Sequence, residues 1–298
     1  MNVRIAKNSG FCFGVKRAIR IALEASETNS EIVTLGSIIH NPQMVEKLNK
    51  KEIYRVDSIE EIKGRPTLIR SHGIKKTELE ELKKKNIEII DATCPYVYKA
   101  QQYASKLSDE GYPVIILGDE SHPEVIAIRS YISGENYVVV DPLKIPAKRF
   151  KKVAVISQTT RSIEDLKKLI QALLPMCIEL RIINTICSAT SVRQEASLKL
   201  AQESDLMIVI GGKKSSNTKM LAKISAQFIE THHIETEKEL SLKWLKNKEN
   251  IGITAGASTP DWIIVNVYNK ILKCLGNENK MVNNVKAIPG FKEDQNVV

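Results

Sequence analysis

The sequence has few aromatic residues and no long apolar run. Aromatic residues make up 5% of the 298 residues and do not alternate with the basic ones. A stacking surface for single-stranded nucleic acid is therefore not expected, although the net charge is +9. No run approaches the roughly 18 to 20 apolar residues of a membrane span, and the amino terminus enters a strand pattern without an apolar signal region. We expect a cytoplasmic protein without nucleic-acid or membrane partners, whose basic balance suits an anionic small substrate.

Cysteine is also scarce, and its pattern excludes two common uses. The five cysteines are an odd number without a close pair, so a disulfide framework is not expected. The C-x₂-C pairs of a structural zinc site are absent as well. Cys177 and Cys274 lie outside any repeated pattern, and we interpret them as buried or incidental thiols.

The other three cysteines occupy a repeated context. An apolar run, a tight turn and a helical pattern surround Cys12, Cys94 and Cys187. A second strand-turn-helix unit follows each of them, and 28 residues after the cysteine its turn carries His40, His122 and Ser215 respectively. The turns of a third unit carry His72, Thr159 and Ser258, which lie 60, 65 and 71 residues after the respective cysteines. The chain is therefore a threefold repeat.

This repeat predicts an α/β fold of three pseudo-symmetric, trefoil-like modules at residues 1–94, 95–184 and 185–298. From about Asn277 the chain is polar, and we expect a C-terminal extension with little core of its own. Right-handed β-α-β connections place the turns at the carboxyl ends of parallel strands, where α/β proteins bind ligands. If the modules meet around a pseudo-threefold axis, the three cysteines converge.

Three thiolates at one point need a metal, and a cysteine-only set suits an iron-sulfur cluster. With three ligands on a four-iron cluster, one iron lacks a protein ligand and can act as a Lewis acid as well as an electron donor. The pattern thus favours catalysis over electron carriage alone. The alternative is three unconnected buried thiols at strand ends.

The sequence GGKKSSNTKML follows an apolar strand and opens a helix. Its backbone N–H groups, with Ser215, Ser216 and Asn217, predict a phosphate cradle, although an ordinary loop and N-cap is the alternative. It lacks the Walker A pattern, so nucleotide hydrolysis is not implied. A second such turn, ITAGASTPDW, carries Ser258.

The remaining turns offer histidines, hydroxyls and one carboxylate. HNPQMV carries His40 and Asn41, and RSHGI carries His72. In SHPEV, Glu124 stands at the start of a helix, either as an ordinary first-turn acid or as a general acid whose burial favours the protonated form. Thr159 in SQTTRS is suited to holding a substrate alcohol. Together these turns fit a diphosphate ester.

Nine motifs in chain order carry a close resemblance to a known family: GFCFGVKRAI, HNPQMV, RSHGI, DATCPYV, SHPEV, SQTT, NTICSAT with RQEA, KKSSNT and ITAGASTPD. They are similar to the 4-hydroxy-3-methylbut-2-enyl diphosphate reductase (LytB) family from about residue 4 to about residue 272. The resemblance implies three α/β modules around a 4Fe-4S cluster, and reductive dehydroxylation of the allylic diphosphate to isopentenyl and dimethylallyl diphosphates. This is the last step of the non-mevalonate isoprenoid pathway.

The resemblance also implies residue roles. The implied cluster ligands are Cys12, Cys94 and Cys187. The residues implied to hold the diphosphate are His40, His72, His122, Ser215, Ser216, Asn217 and Ser258. Glu124 is implied to deliver protons, with Thr159 orienting the hydroxyl and His122 beside them at the reacting end. Since no flavin or nicotinamide fingerprint is present, a ferredoxin or flavodoxin is the implied electron donor.

Two rival hypotheses remain at this point. A dehydratase that resembles quinolinate synthase also combines threefold α/β modules with three distant cysteines, but it needs no external electrons. A basic nucleic-acid binder with a structural cluster predicts salt-sensitive binding that survives substitution of Glu124.

Overall fold

The computed structural model describes residues 2–292. Its strands are β1 (Asn2–Ile5), β2 (Ile32–Leu35), β3 (Ile53–Val56), β4 (Thr67–Ile69), β5 (Ile89–Asp91), β6 (Val114–Leu117), β7 (Asn136–Val139), β8 (Phe150–Ser157), β9 (Cys177–Ile182), β10 (Leu206–Ile210), β11 (Thr231–Ile234) and β12 (Asn250–Ala255). Its α-helices are α1 (Phe13–Thr28), α2 (Pro42–Asn49), α3 (Lys76–Lys84), α4 (Pro95–Asp109), α5 (Pro123–Arg129), α6 (Ile163–Leu173), α7 (Ser188–Gln202), α8 (Ser216–Ser225) and α9 (Asp261–Cys274). Within the described range, no helix has the length and apolar character needed to cross a membrane.

These strands form three four-stranded sheets in which neighbouring strands run parallel. Their orders are β3-β2-β4-β5, β7-β6-β8-β9 and β11-β10-β12-β1. The same permutation occurs three times, with the strand that leads into a cysteine always at one edge. The expected α/β fold of three parallel-sheet modules is therefore confirmed.

The first strand of the chain joins the last sheet. β1 pairs with β12 in parallel register, with Asn2 opposite Asn250 and Ile5 opposite Ile253. Module boundaries after residues 94 and 184 remain our proposal. They leave β5 in the first module and β9 in the second, each with the other strands of its sheet. Residues 2–5 are an exception, because their sheet is built by the strands of residues 185–298.

Packing groups the three sheets into two compact units. The first unit contains residues 2–13, 40–44 and 188–292, with the sheet that includes β1. The second contains residues 14–39 and 45–187, with the other two sheets. The short segment that carries His40 thus folds with the first unit, although the strands on either side of it belong to the second.

The sheet built around β6 and β8 shows why its strands are continuous apolar runs. One face packs in a cluster with Val114, Ile116, Ala154 and Ile156, and the opposite face packs in a cluster with Ile115, Leu117, Val153 and Val155. Both faces of a parallel sheet are covered by helices, so alternate polar residues are not tolerated. The rigid core therefore extends to the strand ends that carry the turns.

The C-terminal segment after residue 276 packs on the first unit. Val285 and Ile288 are 3% and 2% exposed and belong to the same apolar cluster as β1 and α9. The backbone N–H of Ile5 donates to the carbonyl of Pro289 at 2.9 Å, so this segment covers the outer edge of β1. Residues 293–298 of the expected extension lie outside the described residues.

We expect Ile288→Ala to lower the free energy of unfolding by about 2 to 4 kcal/mol, because it removes a buried side chain and leaves a cavity. Urea unfolding monitored by circular dichroism measures the loss. The matched control is Met281→Ala in the same segment, whose side chain is 45% exposed and whose loss should cost less than about 0.5 kcal/mol. Equal stability of the two variants would contradict the packing of this segment.

Candidate active site

Each repeated cysteine is held by one backbone hydrogen bond of the same kind. Its N–H donates to a carbonyl in the turn after the neighbouring strand: Cys12 to Ala257 (3.0 Å), Cys94 to Ser71 (3.0 Å) and Cys187 to Thr159 (3.1 Å). All three cysteines are partly buried. The three cysteines therefore occupy positions that are equivalent in their backbone hydrogen bond, each after the carboxyl end of an edge strand.

The turns of the third unit share the same backbone hydrogen bond, but the residues predicted for the site do not all occupy matching positions in these turns. Each turn is closed by an N–H to carbonyl bond between residues three apart: Gly73 to Arg70, Arg161 to Gln158 and Thr259 to Gly256. Aligned on these bonds, His72 and Ser258 match Thr160, and Thr159 lies one residue earlier. The turns that we expected to be equivalent are equivalent, but Thr159 is not the positional counterpart of His72 and Ser258.

A similar offset affects His40. The glycines that open the second turns lie 24 residues after the cysteines, at Gly36, Gly118 and Gly211. Helices α5 and α8 then have His122 and Ser215 as N-caps. In α2 the corresponding residue is Asn41, whose Oδ1 accepts from the N–H of Met44 at 2.8 Å. The first turn is thus one residue longer, and His40 precedes the capping position.

Glu124 and Thr159 form a buried pair in the second unit. Glu124 is 2% exposed at the start of α5, and Thr159 is 6% exposed in the turn after β8. The Thr159 N–H donates to Glu124 Oε1 at 2.6 Å, and the Thr159 hydroxyl donates to Oε2 at 2.9 Å. Both carboxyl oxygens are thus bound by one residue, whose own carbonyl accepts from Cys187.

Burial raises the pKa of Glu124 from its ordinary value of 4.5 to about 7, because the charged form loses its hydration. The two hydrogen bonds from Thr159 act in the opposite direction, since they favour the carboxylate. The balance leaves a carboxyl group that exchanges its proton near neutral pH. This supports the general-acid interpretation over that of an ordinary first-turn acid.

Two histidines lie near this pair. His122 Nδ1 accepts from the N–H of Glu124 at 3.2 Å, so the neutral ring carries its proton on Nε2. The ring of His72 meets that of His122 edge to face, with centroids 5.3 Å apart. The second unit therefore brings together Glu124, Thr159, His72 and His122, all of which the sequence indicated.

The first unit assembles the predicted cradle with the His40 turn. The Ser258 hydroxyl donates to the His40 carbonyl at 3.4 Å. Gly212 allows this approach, because an added Cβ would lie 2.3 Å from the same carbonyl oxygen. Ser215 caps α8 by accepting from the N–H of Thr218 at 3.3 Å.

Asn217 is the most informative residue of this cradle. It is 3% exposed in the first turn of α8, and neither its Oδ1 nor its Nδ2 has a hydrogen-bond partner among the described residues. A buried amide without partners costs about 1 to 3 kcal/mol, which a bound ligand would recover. Ser216, half-buried beside it, completes the set of side chains that the sequence predicted here.

Sequence reasoning missed Gln158. Its side chain is fully buried, and its Oε1 accepts from the N–H of Asp119 at 3.1 Å, so it ties the turn of Thr159 to the turn of His122. Asn41 was noted only as a neighbour of His40. The Asn-Pro pair was a usable signal for a capped helix start, because Pro is favoured at the first helical position.

The fold and these turns define a three-module α/β protein with one cysteine turn per sheet and polar turns at the strand ends. The chain belongs to the LytB family, since the family model described as LytB protein matches residues 3–272.

Proteins of known name are similar over nearly the whole chain. The 4-hydroxy-3-methylbut-2-enyl diphosphate reductase of Geobacter sp. (strain M21) is 47% identical, over 91% of this chain and 97% of that protein. The protein of the same name from Campylobacter hominis is 50% identical, over 91% and 98%.

Two solved structures are also similar. The (E)-4-hydroxy-3-methyl-but-2-enyl diphosphate reductase structure has a TM-score of 0.65 and 42% identity, and the match covers 92% of this chain and all of that one. The E-1-hydroxy-2-methyl-but-2-enyl-4-diphosphate reductase from Plasmodium falciparum has a TM-score of 0.83 and 28% identity, over 99% and 92%.

We expect Thr159→Val to raise the pKa of Glu124 further above about 7, because the hydroxyl donor that favours the carboxylate is lost while burial is unchanged. Titration of the ¹³C-labelled glutamate carboxyl by NMR measures the shift. Thr160→Val serves as the neighbouring control and should leave the pKa of Glu124 unchanged. A lower pKa in Thr159→Val would contradict this account of the pair.

Proposed function

We propose that this chain is a 4-hydroxy-3-methylbut-2-enyl diphosphate reductase that converts its substrate to isopentenyl and dimethylallyl diphosphates. The observation that carries the proposal is the buried Glu124 carboxyl, paired with Thr159 and poised near neutral pH. It stands in a chain whose named relatives match 91% of its length. Of the sequence hypotheses, the dehydratase is not favoured, because these relatives and the two structures all carry reductase names.

We assign Cys12, Cys94 and Cys187 as the ligands of a 4Fe-4S cluster. Their fit rests on a thiol-only donor set, repeated in three equivalent backbone positions and partly buried. The other two thiols differ: Cys177 donates to the carbonyl of Leu173 and its pKa is raised by burial, and Cys274 is exposed. When bound, the cluster supplies electrons and, at an iron without a cysteine ligand, a Lewis acid.

The diphosphate is assigned to histidines, hydroxyls and one amide at helix starts and strand ends. These residues are His40, His72, His122, Ser215, Ser216, Asn217 and Ser258. Asn217 is the strongest member, because its buried amide offers a donor and an acceptor that no described protein group uses. The N-terminus of α8 adds backbone N–H groups that favour an anion.

Glu124 is assigned as the proton donor, with His122 holding its backbone. Hydroxide is a poor leaving group, so protonation by the Glu124 carboxyl makes the substrate hydroxyl leave as water. The carboxylate that remains is stabilised by the two Thr159 donors. Since the Thr159 hydroxyl donates to Glu124, its lone pairs are available to accept from the substrate hydroxyl and orient it.

The reaction requires a separate electron carrier. The overall reaction consumes two electrons and two protons, because one proton leaves with the hydroxyl as water and the other is added to carbon of the allyl fragment. No flavin or nicotinamide fingerprint is present in the sequence to supply the electrons. We propose a ferredoxin or flavodoxin as the donor. We also place the enzyme in the cytoplasm, where a reducing environment keeps cysteine ligands reduced.

The decisive experiment is anaerobic turnover of 4-hydroxy-3-methylbut-2-enyl diphosphate by protein reconstituted with iron and sulfide. We expect two electrons to be consumed from a one-electron donor per substrate, with both five-carbon diphosphates formed. A full cluster without electron consumption would rule out reductase activity and favour the dehydratase, which needs no external electrons. Salt-sensitive nucleic-acid binding in place of turnover would favour the binding protein.

Glu124→Gln should retain the cluster and the affinity for the diphosphate but lose about 10²- to 10⁴-fold in kcat, the usual contribution of a general acid. The matched control is Glu120→Gln in the same turn, where the side chain is 67% exposed and pairs with Arg129. Full activity of Glu124→Gln would remove Glu124 from the mechanism.

Wild-type kcat should also fall as the pH rises above about 7, because Glu124 loses its proton.

A further inference from the structure

Two arginines bind the backbone just before two of the repeated cysteines. Arg17 lies on α1, and its Nη1 donates to the carbonyl of Thr93, one residue before Cys94, at 3.0 Å. Arg193 lies on α7, and its Nη2 donates to the carbonyl of Gly10, two residues before Cys12, at 3.0 Å. In both cases, the helix that follows one cysteine in the chain holds the loop of another.

The bond from Arg17 completes the fixing of a single peptide group. The carbonyl of Thr93 and the N–H of Cys94 belong to the same peptide, and that N–H donates to Ser71 at 3.0 Å. The peptide is therefore held at both ends. Because the Cα–Cβ bond of Cys94 starts at this peptide, its orientation is set by the two bonds together.

Arg193 holds the loop before Cys12, which turns at a glycine. Gly10 has a φ of +96°, and the next residue but one, Cys12, is bound through its own N–H to Ala257. Arg193 is 5% exposed, and its Nη1 also donates to the carbonyl of Ala189 at 2.8 Å. The planar guanidinium thus spans two carbonyls, which a lysine ammonium on a flexible stem does not reproduce.

The third cysteine loop is held without a charge. The hydroxyl of Thr185, two residues before Cys187, donates to the carbonyl of Ser157 at 2.5 Å and accepts from its N–H at 2.8 Å. Helix α4, which follows Cys94, contains no arginine. Two of the three loops are therefore held by a guanidinium, and the third is held by a neutral hydroxyl.

We infer that Arg17 and Arg193 are positioning residues for the cluster ligands Cys94 and Cys12. The inference rests on the cluster assigned under the proposed function. A guanidinium bound to the loop of a thiolate ligand does two things. It fixes the ligand's backbone, and it places a positive charge near an anionic centre, which favours the reduced form. Both effects are measurable without turnover.

The test compares reconstituted wild type with Arg17→Met, Arg193→Met, Arg17→Lys and Arg193→Lys. Cluster loss to an iron chelator is followed by the charge-transfer absorbance, and the reduction potential is obtained by EPR-monitored titration. The controls are Arg20→Met on α1 and Lys199→Met on α7, both exposed on the same two helices.

We expect the methionine variants to lose the cluster about tenfold faster, as is usual for outer-shell partners, and to have a more negative potential. Arg193→Lys keeps the charge but not the two-carbonyl geometry, so it should retain the potential while losing the cluster faster. The control variants should behave as wild type.

Wild-type retention and potential in both methionine variants would overturn the inference, and so would equal effects in the controls. Circular dichroism of the apo-proteins identifies a variant that does not fold. If a methionine variant does not fold, the lysine variants test the inference instead. Cluster retention equal to wild type in Arg193→Lys would contradict a positioning role. If wild type takes up no cluster, the proposed function itself is wrong. If it does and the arginine variants are unaffected, only this inference fails.

Discussion

The hydrogen bond from each repeated cysteine N–H to the turn after the neighbouring strand is the constraint on which the site depends. It lies beyond the ends of two paired parallel strands, and it occurs in all three sheets with lengths of 3.0 to 3.1 Å. The neighbouring strands β4, β8 and β12 end in buried residues, so close packing keeps these strand ends rigid. A cysteine attached there inherits that rigidity, which a metal-binding side chain on an ordinary surface loop does not have.

In one of the three sheets, the same bond connects a cysteine, Cys187, to the buried acid. Thr159 accepts from Cys187 through its carbonyl and donates twice to Glu124, so a single residue links both turns. The burial of Glu124 has a thermodynamic cost. Since its pKa rises on folding, the folded state binds the proton more tightly, and the carboxylate destabilises the fold fully above about pH 7 and progressively less down to about pH 4.5. A shift of this size corresponds to about 3 kcal/mol, which the rest of the core must offset.

Much of this arrangement could be predicted from the sequence, and the exceptions have identifiable causes. The cysteine spacing and apolar runs predicted three parallel α/β modules, because both patterns are local or periodic. The partner of β1 lies some 250 residues away, and a non-local pairing leaves no local signal. The equal 28-residue spacing concealed the longer turn before Asn41, because residue counting does not reveal which residue caps a helix. Gln158, Arg17 and Arg193 act through side-chain geometry, which composition and periodicity do not encode.

The three sheets repeat the backbone hydrogen bonds of the site but not the side chains of its turns. A cysteine follows the edge strand of each sheet, and its N–H makes the same kind of backbone hydrogen bond in all three. The turns beside it have the same backbone bonds but carry His72, Thr160 and Ser258 at matched positions, and the adjacent positions carry Ser71, Thr159 and Ala257. Among these, Thr159 places its hydroxyl against the buried carboxyl of Glu124. An asymmetric substrate, with an alcohol at one end and a diphosphate at the other, needs different partners at its two ends. Different side chains on a shared turn backbone meet that need, because substituting a turn side chain does not remove the backbone hydrogen bonds that hold the cysteines.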